Sequence, residues 1–410
     1  MRQPKPTAVP PPMRRRKRSF DGLAFNISAV ITPAFLRMAS IIVLAVNTIA
    51  ALDLRQGYGR HADGDESVWT ELDPLPDPVG YAGMFCGTLN GKLIAGGGSQ
   101  FHDRPVWHDG EKVFSDRIFT LASAKAKWNE SPQRLPLKVA HFASAVTDDA
   151  IYLVGGVNAS GCLASAIRIT ADGDELIFSE LPSLPRPLGY AAAAVVDDRL
   201  YVVGGLPAVG AKQASRETWS LNLSPQREPL AWRREPDLPG PGVHVACTAA
   251  DQGRVYLIGG IGFDPQGAPI PSAAVYCLKI GAQKWEVLPP LPAPRVGAVS
   301  PCAVVNGQIC VIGGYADVFP GLPREHPGFC QETFIYDLKQ KSWRAGMSLP
   351  VTPIVDRDAP GDSGPKPMIA APCCIWESNV VIVGGEVRSS VRTPTVLAAP
   401  IESLLKSTLR

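Results

Sequence analysis

A carboxylate and a guanidinium stand six residues apart near the end of this 410-residue chain, in Gly384-Gly-Glu-Val-Arg-Ser-Ser-Val-Arg-Thr393. A short hairpin over that span would return Arg392 to the side of Glu386, with Arg388 between them. Two chemistries fit. One is a structural ion pair that ties this segment to its neighbour. The other is an acid/base carboxylate beside an arginine that grips a substrate carboxylate through two parallel N–H bonds. Elsewhere, aromatic and imidazole side chains recur just ahead of strands of small residues, in Gly80-Tyr81, Ala140-His141, Gly189-Tyr190 and Val243-His244, with Arg295 at a similar place. Such residues suit a sugar, whose hydroxyls need hydrogen bonds and whose ring faces pack on aromatics. They would equally fill a channel and satisfy one another, so Tyr81, His141, Tyr190 and His244 are candidates only.

The elements that must position these residues repeat. After residue 69 the chain cycles through a Leu-Pro loop, a strand of small and apolar residues, a turn, an apolar strand ending in Gly-Gly and two further strands, the last often bearing Trp. The pairs are read as Gly96-Gly97, Gly155-Gly156, Gly204-Gly205, Gly259-Gly260, Gly313-Gly314 and Gly384-Gly385. Trp128, Trp232, Trp285 and Trp343 precede the next Leu-Pro loop, Phe178 takes the same place in one copy, and all should pack between neighbouring units. The residue after each pair is Gly98, Val157, Leu206, Ile261 and Tyr315, and only in the last copy is it an acid, Glu386. The first copy opens with an orphan strand around Trp69, and the last stops after its third strand near Thr395–Ala399. Joined, the two fragments make one unit and remove two sheet edges. The expectation is an all-β, six-bladed propeller over 69–399, with kelch-type repeats of roughly 50 residues and a ring closed by its N-terminal strand. In such a ring the innermost strands line a central channel, and the loops above gather at one mouth.

Composition agrees with short strands and many turns: 39 Gly and 40 Pro, 45% hydrophobic and 19% charged residues. The net charge of +2 hides an asymmetry, because residues 1–50 hold eight Lys or Arg and one acid, leaving 32 bases against 37 acids in the rest. The body is therefore no nucleic-acid binder by charge. The basic run Arg14–Arg18 and the apolar stretch Met38–Leu52, with small Ala50 and Ala51 near its end, have a signal-peptide layout too short to span a bilayer. Residues 1–51 are read as that leader, 52–68 as a linker and 400–410 as a tail. The expected location is exported and periplasmic; the alternatives are a membrane anchor at the leader, or a cytoplasmic protein with a mis-assigned start. The nine cysteines have no zinc spacing and no CxxC. Cys86, Cys247, Cys302 and Cys374 recur ahead of Gly-Gly pairs and read as small core residues, with one or two disulfides open to an exported chain. No metal or cofactor is expected.

The same residues resemble the N-acetylneuraminate epimerases, the sialic acid mutarotases, and specifically a circularly permuted branch of them. The likeness covers 69–399. It rests on the repeats, on Gly385-Glu386 through Arg392-Thr393, and on the long loop Gly97-Gly-Ser-Gln-Phe101 through Gly110-Glu-Lys112, which is similar to that family's insertion after a Gly-Gly pair. The resemblance implies Glu386 as acid/base and Arg392 as a substrate-binding residue, and a small sugar acid as partner. The blades bearing these features are last and first here, which makes them neighbours once the ring closes. The implied reaction interconverts anomers: a base takes the proton of the anomeric hydroxyl, the ring oxygen is protonated as the C–O bond opens, and the ring recloses on its other face. His141 or Tyr190 could serve the ring oxygen. A non-catalytic propeller that binds a carbohydrate or a protein is the alternative. A copper oxidase would need two His and two Tyr around one metal, and His61, His102, His108, His141, His244 and His326 form no such set.

Overall fold

Each blade is a four-stranded antiparallel sheet whose strands grow more polar outward. The computed structural model describes residues 68–101, 104–224, 230–321, 323–350 and 368–406. The leader, most of the linker and the end of the tail lie outside them. Blade 1 runs Ala82–Leu89, Lys92–Phe101, Arg117–Leu121 and Asn129–Arg134, with Lys112–Phe114 added to the far end of its second strand. Blades 2 to 5 repeat the order in 143–181, 192–235, 247–288 and 303–345. Blade 6 combines Cys373–Trp376, Asn379–Val383 and Val396–Pro400 with Thr70–Glu71, which pairs Thr70 with Ala398 and Glu71 with Leu397. The chain thus forms a six-bladed propeller closed by its N-terminal strand. Among the described residues, no helix is long and apolar enough to cross a membrane.

The repeat residues explain the packing. Inner strands such as Ala143-Ser-Ala-Val146 and Ala192-Ala-Ala-Val-Val196 are small because six of them converge on the axis. Second strands such as Ile151–Val154 are apolar on both faces because a neighbouring blade covers each one. The Leu of every Leu-Pro loop, from Leu75 through Leu135, Leu184, Leu238 and Leu291 to Leu349, is buried. In four of these loops the carbonyl two residues before the leucine accepts the indole N–H of the next blade's tryptophan: Trp128 to Asp73 at 2.8 Å, Trp232 to Pro182 at 2.6 Å, Trp285 to Pro236 at 2.9 Å and Trp343 to Pro289 at 3.0 Å. Tryptophan and Leu-Pro are therefore two halves of one inter-blade joint. Cys86, Cys247 and Cys302 are buried and Cys374 half-buried, and all nine thiols are free.

The glycine pairs need one correction. Both residues of a pair adopt positive φ, 64° and 98° at Gly155-Gly156 and 62° and 108° at Gly384-Gly385, and in blade 1 the two that do so are Gly97 (66°) and Gly98 (93°). Gly96 is ordinary strand. Three consecutive glycines made the sequence ambiguous by one residue, and backbone conformation resolves it. The residue in register with Glu386 is therefore Ser99 in blade 1, followed round the ring by Val157, Leu206, Ile261 and Tyr315.

The second glycine of each of five pairs donates its N–H to the next blade's entry loop, Gly98 to Val139, Gly156 to Leu188, Gly205 to Val243, Gly260 to Arg295 and Gly385 to Tyr81, at 2.7–2.9 Å. Two residues after each acceptor lies a residue with left-handed backbone: Gly83, His141, Tyr190, Val245, Gly297 and, in blade 6, Ala370. Their peptide groups form a closed circle. His141 N–H donates to Gly83, Tyr190 to His141, Val245 to Tyr190, Gly297 to Val245, Ala370 to Gly297 and Gly83 to Ala370, all at 2.9–3.1 Å. This six-membered ring of hydrogen bonds is the neck of the channel.

Candidate active site

The neck is dressed unevenly. Blades 2, 3 and 4 place His141, Tyr190 and Val245 on it, whereas blades 5 and 1 supply glycine and blade 6 alanine. A Cβ on Gly83 would collide with the His141 imidazole, so that glycine makes room for the ring. The mouth is consequently walled by aromatics on one side: His141 stacks on Tyr190 with centroids 4.6 Å apart, Tyr190 meets His244 edge-on at 6.3 Å, and His244 stacks on Phe263 at 5.4 Å.

The opposite side holds the charges. Glu386–Arg388 and Val391–Arg392 form a two-stranded hairpin that pairs Glu386 directly with Arg392. The hairpin follows from the sequence: Ser389-Ser390 turns the chain, with Ser390 at φ 67°, and its N–H donates to Glu386 Oε2 at 3.3 Å. Arg392 Nη1 lies 2.7 Å from Glu386 Oε1, off the hydrogen-bond axis, while its Nε donates to the Ser99 carbonyl at 3.0 Å and its guanidinium lies 5.2 Å from the Phe101 ring centroid. The Arg392 side chain is 3% exposed and that of Glu386 17%. The pair thus links blade 6 to blade 1 and still presents the carboxylate to the mouth.

Ionisable neighbours feel that carboxylate. Burial pushes the Tyr315 phenol up to about 12, and the Glu386 charge adds to it. Burial also raises Tyr190, with Cys162 and Glu386 adding and Arg392 opposing. His326 is lowered by burial, Glu386 pulling it up and Arg388 down. His141 falls well below the usual imidazole value through burial and the cations Lys112 and Arg392, so it stands neutral at the neck. His244, lowered to about 4 by burial, is neutral as well. Two aromatic clusters therefore flank one carboxylate, because His326 also packs on Phe319 and Phe329 at 5.1 and 4.8 Å.

Of the residues singled out by their place in the repeats, Glu386, Arg392, Arg388, His141 and Tyr190 come together round one mouth, with His244 one residue earlier in its register. Tyr81 is set apart. It occupies the inter-blade core position of Val139 and Leu188, and its hydroxyl donates to Asp77 at 2.9 Å and accepts from Arg117 at 2.8 Å. The sequence motif grouped three register positions as one, because a loop before a strand carries no period. Lys112, Tyr315 and His326 were missed. Only Tyr315 carried a signal, its place after a Gly-Gly pair.

A cavity of about 650 Å³ opens at the other ends of the inner strands among Ala145, Ala193, Ala249, Ala303, Cys374 and Glu377. Its walls are mainly small apolar side chains and do not bring an acid and a base together. Among the described residues, no group of three His, Cys, Asp or Glu side chains could hold a metal.

Fold and repeats define a kelch-type β-propeller. The comparisons agree at that level. No protein family's sequence profile matches the chain. It is 28% identical over 218 residues to a kelch repeat-containing protein of Arabidopsis thaliana, covering 49% of each chain, and 27% identical over 334 residues to a kelch-like protein of Aspergillus terreus, covering 80% of this chain and 54% of that one. Over 108 residues it is 31% identical to the N-acetylneuraminate epimerase of Vibrio cholerae, 23% of this chain and 27% of the relative. The matches thus span about half or less of these relatives' lengths.

Proposed function

We propose that this protein is a sugar-acid mutarotase, interconverting the anomers of N-acetylneuraminate or a related keto sugar acid. The observation that carries the reading is Glu386: alone among six register-equivalent residues it is an acid, it is half-buried at the mouth, and a buried guanidinium fixes its position. The carboxylate takes the anomeric hydroxyl proton and passes it to the ring oxygen as the C–O bond opens, and the reverse transfer recloses the ring on its other face. Neutral His141 stands on the neck within the same mouth and serves the ring oxygen, and the His141–Tyr190 stack supplies a face for the sugar. No cofactor enters this scheme. The partial likeness to an epimerase of that substrate supports the reading. An exported, periplasmic location belongs to the same proposal and rests on Arg14–Arg18 and the apolar stretch after it.

The test is NMR-monitored equilibration of freshly released α-N-acetylneuraminate by the full chain. Wild type should accelerate it, and Glu386→Gln should lose roughly 10²- to 10⁴-fold of that acceleration. Equal acceleration in both would remove Glu386 from the mechanism. No acceleration by wild type would favour the second reading, a kelch propeller that binds a carbohydrate or protein without catalysis, which the two kelch relatives support.

A further inference from the structure

Lys112 reaches the mouth from the hairpin that follows blade 1's glycine pair. It lies on the return strand Lys112–Phe114, equivalent to Gly161–Cys162, Pro269–Pro271 and Val391–Arg392 in blades 2, 4 and 6, and it pairs there with Phe101, whose ring lies beside Arg392. Its Nζ is 3.3 Å from His141 Nε2 and 5.7 Å from the Phe114 ring centroid. With His141 neutral, its Nε2 accepts from the ammonium, which assigns the imidazole proton to Nδ1. An ammonium has three N–H groups, and His141 takes one.

The arginine beside it is already engaged. A bidentate grip on a carboxylate uses two neighbouring guanidinium nitrogens, and each two-nitrogen edge of Arg392 includes one that faces a protein oxygen, Nε at Ser99 or Nη1 at Glu386. The charges of Glu386 and Arg392 also cancel, so an anion bound next to them needs another cation.

We infer that Lys112 receives the carboxylate of the sugar acid, while Arg392 positions Glu386. This rests on the proposed function and adds the residue that distinguishes an acidic sugar from a neutral one. Four groups face Lys112: His141 from blade 2, Glu386 and Arg392 from the blade 6 hairpin, and the Phe114 ring on its own strand. Burial and Arg392 lower its pKa to about 8, against the opposing pull of Glu386. Binding that needs the ammonium should therefore weaken as pH rises through about 8.

The experiment is calorimetric titration of the full chain with N-acetylneuraminate and with its methyl ester, in wild type, Lys112→Met and Lys112→Arg, each checked by thermal melting. Expected is a loss of at least tenfold in affinity for the acid in Lys112→Met, unchanged weak binding of the ester, and a Lys112→Arg variant that binds the acid without the fall above pH 8. Equal affinity of Lys112→Met and wild type for the acid overturns the inference and leaves the mutarotase reading standing. If wild type binds neither ligand, that reading fails instead. The inference is then decided by NMR of ¹⁵N-labelled lysine side chains titrated with pyruvate, the simplest 2-keto acid. An upward move of the Lys112 midpoint supports it, and an unmoved midpoint overturns it.

Discussion

At the scale of single residues, the mouth is organised by which charges are held in place. Arg392 is buried against Glu386, the Ser99 carbonyl and the Phe101 ring. Arg392→Met would leave a poorly solvated carboxylate and an unpaired carbonyl, so it should destabilise the fold by about 3–5 kcal/mol, read as a shifted denaturation midpoint. Glu386→Gln keeps the shape and should cost far less stability than activity, which separates the two roles. Lys112 makes a pH prediction of its own. Its folded pKa of about 8 lies below its ordinary 10.5, so between those values the unfolded chain binds more protons and folding stability gains from this group as pH rises. In Lys112→Met that increment should be absent from stability measured across pH 8 to 10. Glu386 was legible in the sequence because it breaks a repeat, and Arg392 because a short hairpin returns it to the side of that acid. Lys112 was not, since one lysine in a long insertion resembles any solvated loop charge.

At the scale of elements, the glycine pairs aim the site. Gly385 has φ 108°, and a Cβ there would collide with the Ile369 carbonyl that accepts the Glu386 N–H. Gly385→Ala should cost about 1–3 kcal/mol in backbone strain and also turn the Glu386 hairpin away from Arg392. Activity should then fall further than the melting temperature alone accounts for, measured by the anomer assay well below the melt. The hairpin itself was readable from Arg-Ser-Ser-Val between two charges. The register of the entry loops was not. Tyr81, His141 and His244 each precede an inner strand, yet they fall on three successive positions, and only the circle of peptide hydrogen bonds sorts neck from core.

At the scale of the whole molecule, stability is a ring of inter-blade joints, each with a buried Leu-Pro leucine and four of them closed by a tryptophan-to-carbonyl bond. Leu238, fully buried between blades, should cost about 2–5 kcal/mol as Leu238→Ala, and calorimetry should show one cooperative transition at lower temperature. Removing residues 1–72 takes away Trp69 and Thr70–Glu71 and bares the Val396–Pro400 edge. Size-exclusion chromatography should then report self-association where the intact chain does not. By itself the sequence determined the blade count, the closing strand and the unique acid, because these are statements about period and about departures from it, and local pattern carries both. The tertiary structure decided which residues meet. Lys112 of blade 1, His141 of blade 2, Tyr315 of blade 5 and Glu386 of blade 6 lie up to 274 residues apart in the chain. They converge because ring closure makes the last blade a neighbour of the first, and the distance from one blade's loop to the next is set by hydrogen bonds between blades that no periodicity records.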